Sequence, residues 1–503
     1  MMNQVSIIGN SIKLTFYGGV NEIGNKVLLE DLVYDAKIFL DFGANIQNLR
    51  DYKDTIGDPT SIRDLTAGNF LPDDSSIPIN NLYSTHFLLN EGQKFTSKVN
   101  ECKDKIDPPS NCDGIFISHA HRDHYYGLSL LNRNIPVYAG DLTEKIIKAY
   151  SEATFKSFDN FLYGLKWNPF RTHDIIDIKG IKIYPVHVDH SIPAAYGFVI
   201  NTSAGLVVYS GDFRMHGPLR KMTTDLITKC KEVASNDNQK EFNADNQSKK
   251  VIALICEGTF IHKGSIESEN LVKNQLEELF KDVVFDYFIV KYQRTDWDRF
   301  RTFVKIAKTH KWKYIISEKD AYFYYILNND KWKTMQSPNI LKDDCIYILE
   351  QEIESGWLYS WQKKIRRIIK ENDIEWRFLK LDDVKGLGSR FFLYYTTLQG
   401  SWKRYLPPDM NGAFLSSDID PYSDENYEND KKLMFKLRDL GLTSYRIHAS
   451  GHAKPHDIYK FVIEINPQNL YPIHTEYPEL FKSLFKKTDI NVILPEQNTP
   501  IIL

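Results

Sequence analysis

Residues 118–124 read Ser-His-Ala-His-Arg-Asp-His and directly follow the apolar run Gly-Ile-Phe-Ile at 114–117. Three imidazoles and a carboxylate thus lie within six residues, after a segment typical of a buried strand. The chain has 14 His in 503 residues, so this clustering is improbable by chance. On an irregular loop, His119 and His121 can face one metal ion while Asp123 and His124 face a second, about 3.5–4 Å away. The stretch therefore predicts a metal site, built mainly from imidazole, at the end of a strand.

The composition excludes several classes of protein. A formal net charge of -3 excludes a globally basic nucleic-acid binder, although a local basic groove remains compatible with it. No apolar run approaches the ~18–20 residues that cross a bilayer, and the first residues lack the layout of a signal peptide. The five Cys form no CxxC pair, which argues against a disulfide framework or a cysteine zinc ribbon. We therefore expect a cytoplasmic protein that is not associated with a membrane.

The pattern of apolar and polar residues changes twice along the chain. Short apolar runs that feed polar loops predict a mixed α/β sandwich over residues 1–260. Amphipathic helices then alternate with strands, which predicts a second, doubly wound α/β domain over 261–435. Short apolar runs followed by polar loops return over 436–503. The pattern therefore predicts that the second domain is inserted into the first. The polar, Asn-rich stretch 230–250 is predicted to be an exposed loop.

Two further residues follow predicted strands. His190 lies in Val-Asp-His-Ser-Ile-Pro and Asp212 lies in Val-Val-Tyr-Ser-Gly-Asp-Phe. Taken alone, such residues are more often an ordinary loop histidine and an Asx-turn residue. Beside the 118–124 stretch, they become candidate metal ligands.

The order of these motifs resembles a known family. An HxHxDH motif, a later lone His and an Asp after an apolar strand are similar to the metallo-β-lactamase fold, and Gly18–Asn25 (GGVNEIGN) resembles the GG-x-x-EIG-x-N opening of ribonuclease J. Further segments resemble that family's DHSIPDA, TGDFK, HVSGHA and PVHGE in the same order: Asp189–Ala194 (DHSIPA), Ser210–Arg214 (SGDFR), Arg446–Ala453 (RIHASGHA) and Tyr471–Glu476 (YPIHTE). The resemblance implies a metallo-β-lactamase αββα sandwich with an inserted α/β domain of the β-CASP type.

The resemblance also implies two Zn²⁺ per chain, and Mn²⁺ suits the same ligand types. One ion would be held by His119, His121, His190 and Asp212, and the other by Asp123, His124, Asp212 and His474, with Asp212 bridging. Two metal ions lower the pKa of a bridging water towards ~7 and thereby supply hydroxide at neutral pH. The implied activity is hydrolysis of phosphodiester bonds in single-stranded RNA by such a hydroxide, as a 5′–3′ exonuclease, an endonuclease or both.

Other residues take roles through the same resemblance. His452 resembles the general acid of β-CASP nucleases, and Glu257 the acid that orients it; Asp123 is counted with them as catalytic. Glu257 is also readable as an ordinary strand-end acid, and His448 as a buried core imidazole. The candidate phosphate-binding residues are His448, Ser450, Gly451, Ser416 and Ser417. The remaining histidines are read as structural or surface groups: His86, His173, His187, His216, His262, His310 and His456.

The chain departs from ribonuclease J at two places. Gln293–Asp296 replaces a Ser-rich turn of the family, while Leu415–Asp420 keeps the second such turn. The pocket for a 5′-monophosphate is thus only partly matched, which leaves exonuclease and endonuclease action open. The chain also stops about 30 residues after His474. We expect the family's C-terminal oligomerisation domain to be absent, so the resemblance gives no oligomeric state.

Three alternative functions are compatible with parts of the pattern. A DNA-processing β-CASP nuclease is disfavoured by His474, because that group typically lacks the last His. A small-molecule hydrolase of the same fold needs neither the insertion nor His452, and an inactive scaffold needs no complete ligand set. Two helical charge patterns could contact an RNA backbone or be solvated faces: Lys363, Lys364, Arg367 and Lys370, and Arg299, Arg301, Lys305 and Lys308.

Overall fold

A computed structural model describes residues 11–59, 61–85, 106–153, 162–236, 249–281, 284–328, 339–351, 358–387, 390–397, 406–407, 409–418 and 424–503. His86 and residues 237–248 of the predicted exposed loop lie outside these ranges. The chain divides into two compact units, one made of Met1–Ser265 with Gly451–Leu503 and the other of Ile266–Ser450. The domain boundaries inferred above, after residues 260 and 435, stay predictions.

Strands and helices occur in both units. The strands are β1 Ile12–Gly18, β2 Lys26–Asp31, β3 Ala36–Leu40, β4 Gly114–Ile117, β5 Pro136–Gly140, β6 Lys166–Phe170, β7 Ile176–Ile178, β8 Ile181–Val188, β9 Ala195–Asn201, β10 Leu206–Tyr209, β11 Val251–Glu257, β12 Tyr287–Lys291, β13 Lys313–Ser317, β14 Ile346–Leu349, β15 Phe378–Leu379, β16 Phe391–Tyr394, β17 Gly412–Ser416, β18 Thr443–Arg446, β19 Asn469–Ile473, β20 Asn491–Val492 and β21 Pro500–Ile502. The α-helices are α1 Ile46–Thr55, α2 Ile62–Ala67, α3 Arg122–Tyr125, α4 Asp141–Ala153, α5 Arg220–Asn236, α6 Glu269–Leu279, α7 Trp297–His310, α8 Glu318–Asn328, α9 Ser360–Glu371, α10 Leu381–Lys385, α11 Asp424–Asp439, α12 Pro455–Ile465 and α13 Glu479–Phe485. None of the helices within these described ranges is long and apolar enough to cross a membrane.

The first unit is an αββα sandwich. One seven-stranded sheet has the order β21-β1-β2-β3-β4-β5-β6, and the other has the order β20-β19-β11-β10-β9-β8-β7. Phe116 of the first sheet and Phe198, Tyr209 and Ile255 of the second are buried in one apolar cluster between them. Helices α5, α12 and α13 cover the outer face of the second sheet, and α4 packs on β5 and β6. The predicted fold class is therefore confirmed.

The second unit has the parallel α/β arrangement predicted for the insertion. Its seven strands, all parallel among the described residues, have the order β15-β14-β13-β16-β12-β17-β18. Parallel strands need crossover connections, and α7, α8 and α9 lie between successive strands along the chain.

The predicted loop over 230–250 is wrong at its start. Helix α5 continues to Asn236, and Leu226, Cys230 and Val233 are buried against the second sheet. Their spacing of three to four residues is a helical stripe that continues past the point where the composition becomes polar. The stripe, rather than the local composition, indicates the helix at the start of this segment.

The interior of the sandwich should dominate the stability of the first unit. We expect Ile255→Ala to lower the free energy of unfolding by about 2–5 kcal/mol, because Ile255 is fully buried between the sheets. The matched control is Ile502→Ala, on the edge strand β21, where the side chain is 56% exposed. Calorimetric melting of the two variants checks this, and equal melting temperatures would contradict it.

Candidate metal centre

The candidate site residues lie where strands of the first unit end. His119 and His121 follow β4, and His190 follows β8. Asp212 follows β10, and His474 follows β19. Strands β10, β11 and β19 are parallel neighbours, so their carboxyl ends present side chains to the same edge of the sheet. The two sheets thereby bring residues from distant parts of the sequence together.

Three imidazoles converge with one carboxylate. Nδ1 of His121 lies 3.0 Å from Nε2 of His119 and 3.1 Å from Nε2 of His190. Oδ2 of Asp212 is 3.5 Å from Nε2 of His119 and 3.9 Å from Nε2 of His190. These four residues form a group whose ligand atoms could hold one metal ion.

The hydrogen bonds of two of these imidazoles assign their tautomers. Nδ1 of His190 is 2.6 Å from the carbonyl oxygen of Gly451, so it carries the proton and donates it. Nδ1 of His119 lies 3.0 Å from Oγ of Ser118, whose hydroxyl is 2.8 Å from Oδ2 of Asp41. Both Nε2 atoms therefore present lone pairs towards Nδ1 of His121, which can donate to only one of them. The lone pair left without a donor faces the nitrogen of another ring, and the two repel each other. A cation between the rings would relieve this repulsion, so the group fits a metal ion.

A second group adjoins the first. Oδ2 of Asp123 lies 3.7 Å from Nε2 of His124 and 3.5 Å from Nε2 of His474. Oδ2 of Asp212 is 3.2 Å from Nε2 of His124 and 3.6 Å from Nε2 of His474. Oδ1 of Asp212 is buried without a hydrogen-bond partner among the described residues. One carboxylate thus faces both groups, which is the position of a bridging ligand.

His474 fits a metal only after a change of tautomer. The backbone N–H of Gly24 donates to its ring Nδ1 at 3.1 Å. The backbone N–H of His474 donates to the carbonyl of Gly19 at 2.8 Å. An imidazole that accepts at Nδ1 carries its proton at Nε2. Ligation through Nε2 would move that proton to Nδ1 and give up the hydrogen bond from Gly24. The glycine-rich segment near the start of the chain therefore packs directly on this histidine.

Burial sets the protonation of most of the cluster. It is the largest cause that keeps the pKa values of His119, His190 and His474 well below the usual range, and neighbouring imidazoles add to it. The pKa of His121 falls to about 3 for the same reasons. These imidazoles are neutral, which is the state that binds a metal. Burial also opposes the charged form of His124, but nearby carboxylates outweigh it and raise its pKa well above the usual range.

Asp41 is a site residue that the sequence analysis missed. Its Oδ2 lies 2.7 Å from Nδ1 of His124 and accepts from the hydroxyl of Tyr209 at 2.5 Å, while its Oδ1 accepts the N–H of Ser118 at 2.7 Å. A carboxylate behind a ligating imidazole fixes the tautomer and orientation of the ring. The sequence feature that could have pointed to Asp41 is its place directly after the apolar strand β3.

His452 and Glu257 meet at the edge of this cluster. Nδ1 of His452 is 3.2 Å from Oε1 of Glu257 and 3.8 Å from Oδ2 of Asp212. Glu257 also accepts backbone N–H groups from Phe213 at 3.2 Å and Thr259 at 3.0 Å. Burial opposes the charged imidazole, but the carboxylates of Glu257, Asp212 and Asp123 together outweigh it and raise the pKa of His452. The arrangement allows His452 to hold a proton beside the candidate metal ligands.

The candidate phosphate-binding residues make other contacts. The hydroxyl of Ser417 donates to the carbonyl of Ile447 at 2.5 Å, and Nδ1 of His448 lies 3.0 Å from the carbonyl of Ser417. The N–H of Ser450 donates to Oε2 of Glu267 at 2.8 Å. Ser416 keeps a buried hydroxyl with no hydrogen-bond partner in the described ranges. These four residues belong to the second unit, whereas Gly451 opens the return of the first and orients His190.

The structure corrects one member of the two predicted basic helix faces. Arg299 is fully buried, and its Nη2 donates to Oε1 of Glu269 at 3.0 Å. Lys308 pairs with Asp343. In contrast, Lys363, Lys364, Arg367 and Lys370 are exposed on α9.

Two segments of the chain match domain families of known type. Residues 88–229 match a beta-lactamase superfamily domain, and residues 442–495 match a Zn-dependent metallo-hydrolase RNA specificity domain. The chain resembles ribonuclease J. A ribonuclease J of Sinorhizobium meliloti (strain Sm2011) is 28% identical over 175 residues, which are 34% of this chain and 28% of that protein. The ribonuclease J of Mycoplasma pneumoniae (strain ATCC 29342) is 23% identical over 409 residues, 77% of this chain and 62% of that protein.

The chain thus matches less than two thirds of the length of these ribonuclease J relatives. A solved structure with a similar fold is a protein of unknown function from Enterococcus faecalis V583. Its TM-score is 0.68 at 20% sequence identity, and the match covers 98% of this chain and 100% of that chain. This likeness establishes the fold alone.

The role of Asp41 can be measured without substrate. We expect Asp41→Asn to weaken metal affinity about 10- to 100-fold, because loss of a carboxylate behind a ligating histidine has effects of this size. Competition against a chelating dye measures it. The matched control is Asp457→Asn, since Asp457 lies 3.1 Å from Nδ1 of His216 outside the cluster. Equal affinities in both variants would remove the role given to Asp41.

Proposed function

We propose that the chain is a metal-dependent ribonuclease that hydrolyses phosphodiester bonds of single-stranded RNA. The observation that carries this proposal is the Asp212 carboxylate, whose Oδ2 lies within 3.9 Å of imidazole nitrogens of both groups. Paired metal sites of this kind serve in-line displacement at phosphorus. The relatives named ribonuclease J and the RNA specificity domain at 442–495, which contains His452 and His474, support RNA as the substrate.

The proposed cofactor is a pair of Zn²⁺ ions, for which Mn²⁺ could substitute. His119, His121, His190 and Asp212 would hold one ion, and Asp123, His124, Asp212 and His474 the other. When bound, the ions acidify water towards a pKa of about 7 and offset negative charge on the phosphodiester. The proposed location is the cytoplasm, where the free thiols found at the described cysteines are the expected state.

The chain's own proton donor is His452. The N–H at Nδ1 of His452 donates a hydrogen bond to Glu257, and this carboxylate keeps the ring charged and oriented. The proton on Nε2 is then the one delivered to the departing sugar oxygen. Glu257 is itself held by two backbone N–H groups, which orient its carboxylate towards His452.

Removal of the acid should separate turnover from binding. For His452→Ala we expect RNA affinity to persist while turnover falls about 100- to 10,000-fold, the usual contribution of a positioned general acid. Stopped-time gel assays and fluorescence anisotropy measure the two quantities. His216→Ala is the control, because His216 also pairs with a carboxylate but lies outside the cluster. An unchanged turnover rate in His452→Ala would exclude it as the acid.

The mode of cleavage is decided by the ends of the substrate. One gel assay should compare 5′-monophosphate, 5′-triphosphate and circular single-stranded RNA with matched DNA. We expect the RNAs to be degraded and the DNA to persist. Mononucleotides from only the monophosphate RNA would assign exonuclease action, and cleavage of circles would assign endonuclease action. Asp123→Ala controls for contaminating nucleases, and cleavage of DNA alone would overturn the proposed function.

A further inference from the structure

Two aromatic side chains of the first unit lie against each other at the protein surface, with their rings tilted. The ring centroids of His262 and Tyr477 lie 4.4 Å apart, with 36° between their planes. Both residues are exposed, Tyr477 at 36% of its surface. Phe116 and Tyr209, which also make ring contacts in this unit, are fully buried. The pair therefore offers aromatic surface to a ligand instead of filling the core.

The fold places this pair beside the proposed acid. Glu257 at the end of β11 pairs in register with Ile473 at the end of β19. His262 follows Glu257 by five residues, and Tyr477 follows His474 by three. The hydroxyl of Thr259 donates to the carbonyl of His474 at 3.3 Å, which ties the two loops together.

A row of rings connects the pair to His452. The ring of Phe260 lies 5.9 Å from that of His452 and 6.1 Å from that of His262. Positive charge accompanies the row, since Nζ of Lys454 lies 4.5 Å from the Phe260 ring centroid. Partial burial, with the charges of Lys263 and Lys454, lowers the pKa of His262. A neutral imidazole thus lies near the positive charges of Lys263 and Lys454.

We propose that His262 and Tyr477 form a stacking platform for an unpaired base of the RNA, next to the scissile phosphate. The inference rests on the proposed function and adds how the strand is held. Aromatic side chains bind single strands by stacking on successive bases, and this tolerates any sequence because every base has a π face. A base inside a duplex is not available for such stacking, so the platform selects single strands.

The test follows stacking at single positions of the RNA. The metal-loaded His452→Ala protein serves as the background, so that the RNA survives the measurement. Oligoribonucleotides carry 2-aminopurine at one position at a time, and its fluorescence is quenched when it stacks. We expect quenching at one or two positions, lost in Tyr477→Ala and in His262→Ala and retained in Tyr477→Phe. Tyr459→Ala is the control, because Tyr459 is 41% exposed and stacks on Phe485 away from the site.

Removal of the base provides a second, independent measurement. An abasic nucleotide at the quenched position should weaken binding about five- to tenfold in the background protein and cause no further loss in Tyr477→Ala. The platform is refuted if Tyr477→Ala and His262→Ala bind and quench like the background, if all proteins lose the same affinity on base removal, or if the background binds no single-stranded RNA. Failure of the proposed function shows separately, as an absence of RNA hydrolysis by the metal-loaded unaltered protein.

Discussion

The rest of the site depends on the buried carboxylate of Asp212. Its Oδ2 lies between 3.2 and 3.9 Å from imidazole nitrogens of five histidines, while its Oδ1 has no hydrogen-bond partner among the described residues. A buried polar oxygen without a partner is costly, and a cation is a partner that would relieve this cost. The same cation would separate the lone pairs of His119 and His190 that face His121. Electrostatics and tautomers therefore lead independently to a metal at this carboxylate.

The scaffold fixes the ligands from behind. Gly451 and Asp41 hold the far nitrogens of His190 and His124, so that each Nε2 points into the cluster. Gly43 is required for close approach, since a Cβ there would lie 1.6 Å from the carbonyl oxygen of Asp123. Most of these contacts join residues far apart in the sequence. The two sheets hold the cluster together, which explains why the site occupies strand ends.

The features that could be predicted are those that depend on residues close together in the sequence. The 118–124 stretch and the strand-end position of Asp212 are visible as motif and periodicity, whereas the αββα architecture follows from the family that the order of the motifs resembles. Asp41 was missed because its partner His124 is 83 residues away, and only the pairing of β3 with β4 brings the two loops together. Arg299 was placed on a basic face because residue type does not reveal burial beside Glu269. Helical periodicity past Cys230 was hidden by polar composition, and His262, read as a surface group, gains a role only from its contact with Tyr477.

The proposed chemistry depends on metal ions on both sides of Asp212, and anomalous scattering can locate them. Crystals of the zinc-loaded protein should be measured just above and just below the zinc absorption edge. We expect two anomalous peaks that share the Asp212 carboxylate, one beside His119, His121 and His190 and the other beside Asp123 and His124. No peak at Asp212, or a single peak there at saturating zinc, would contradict it.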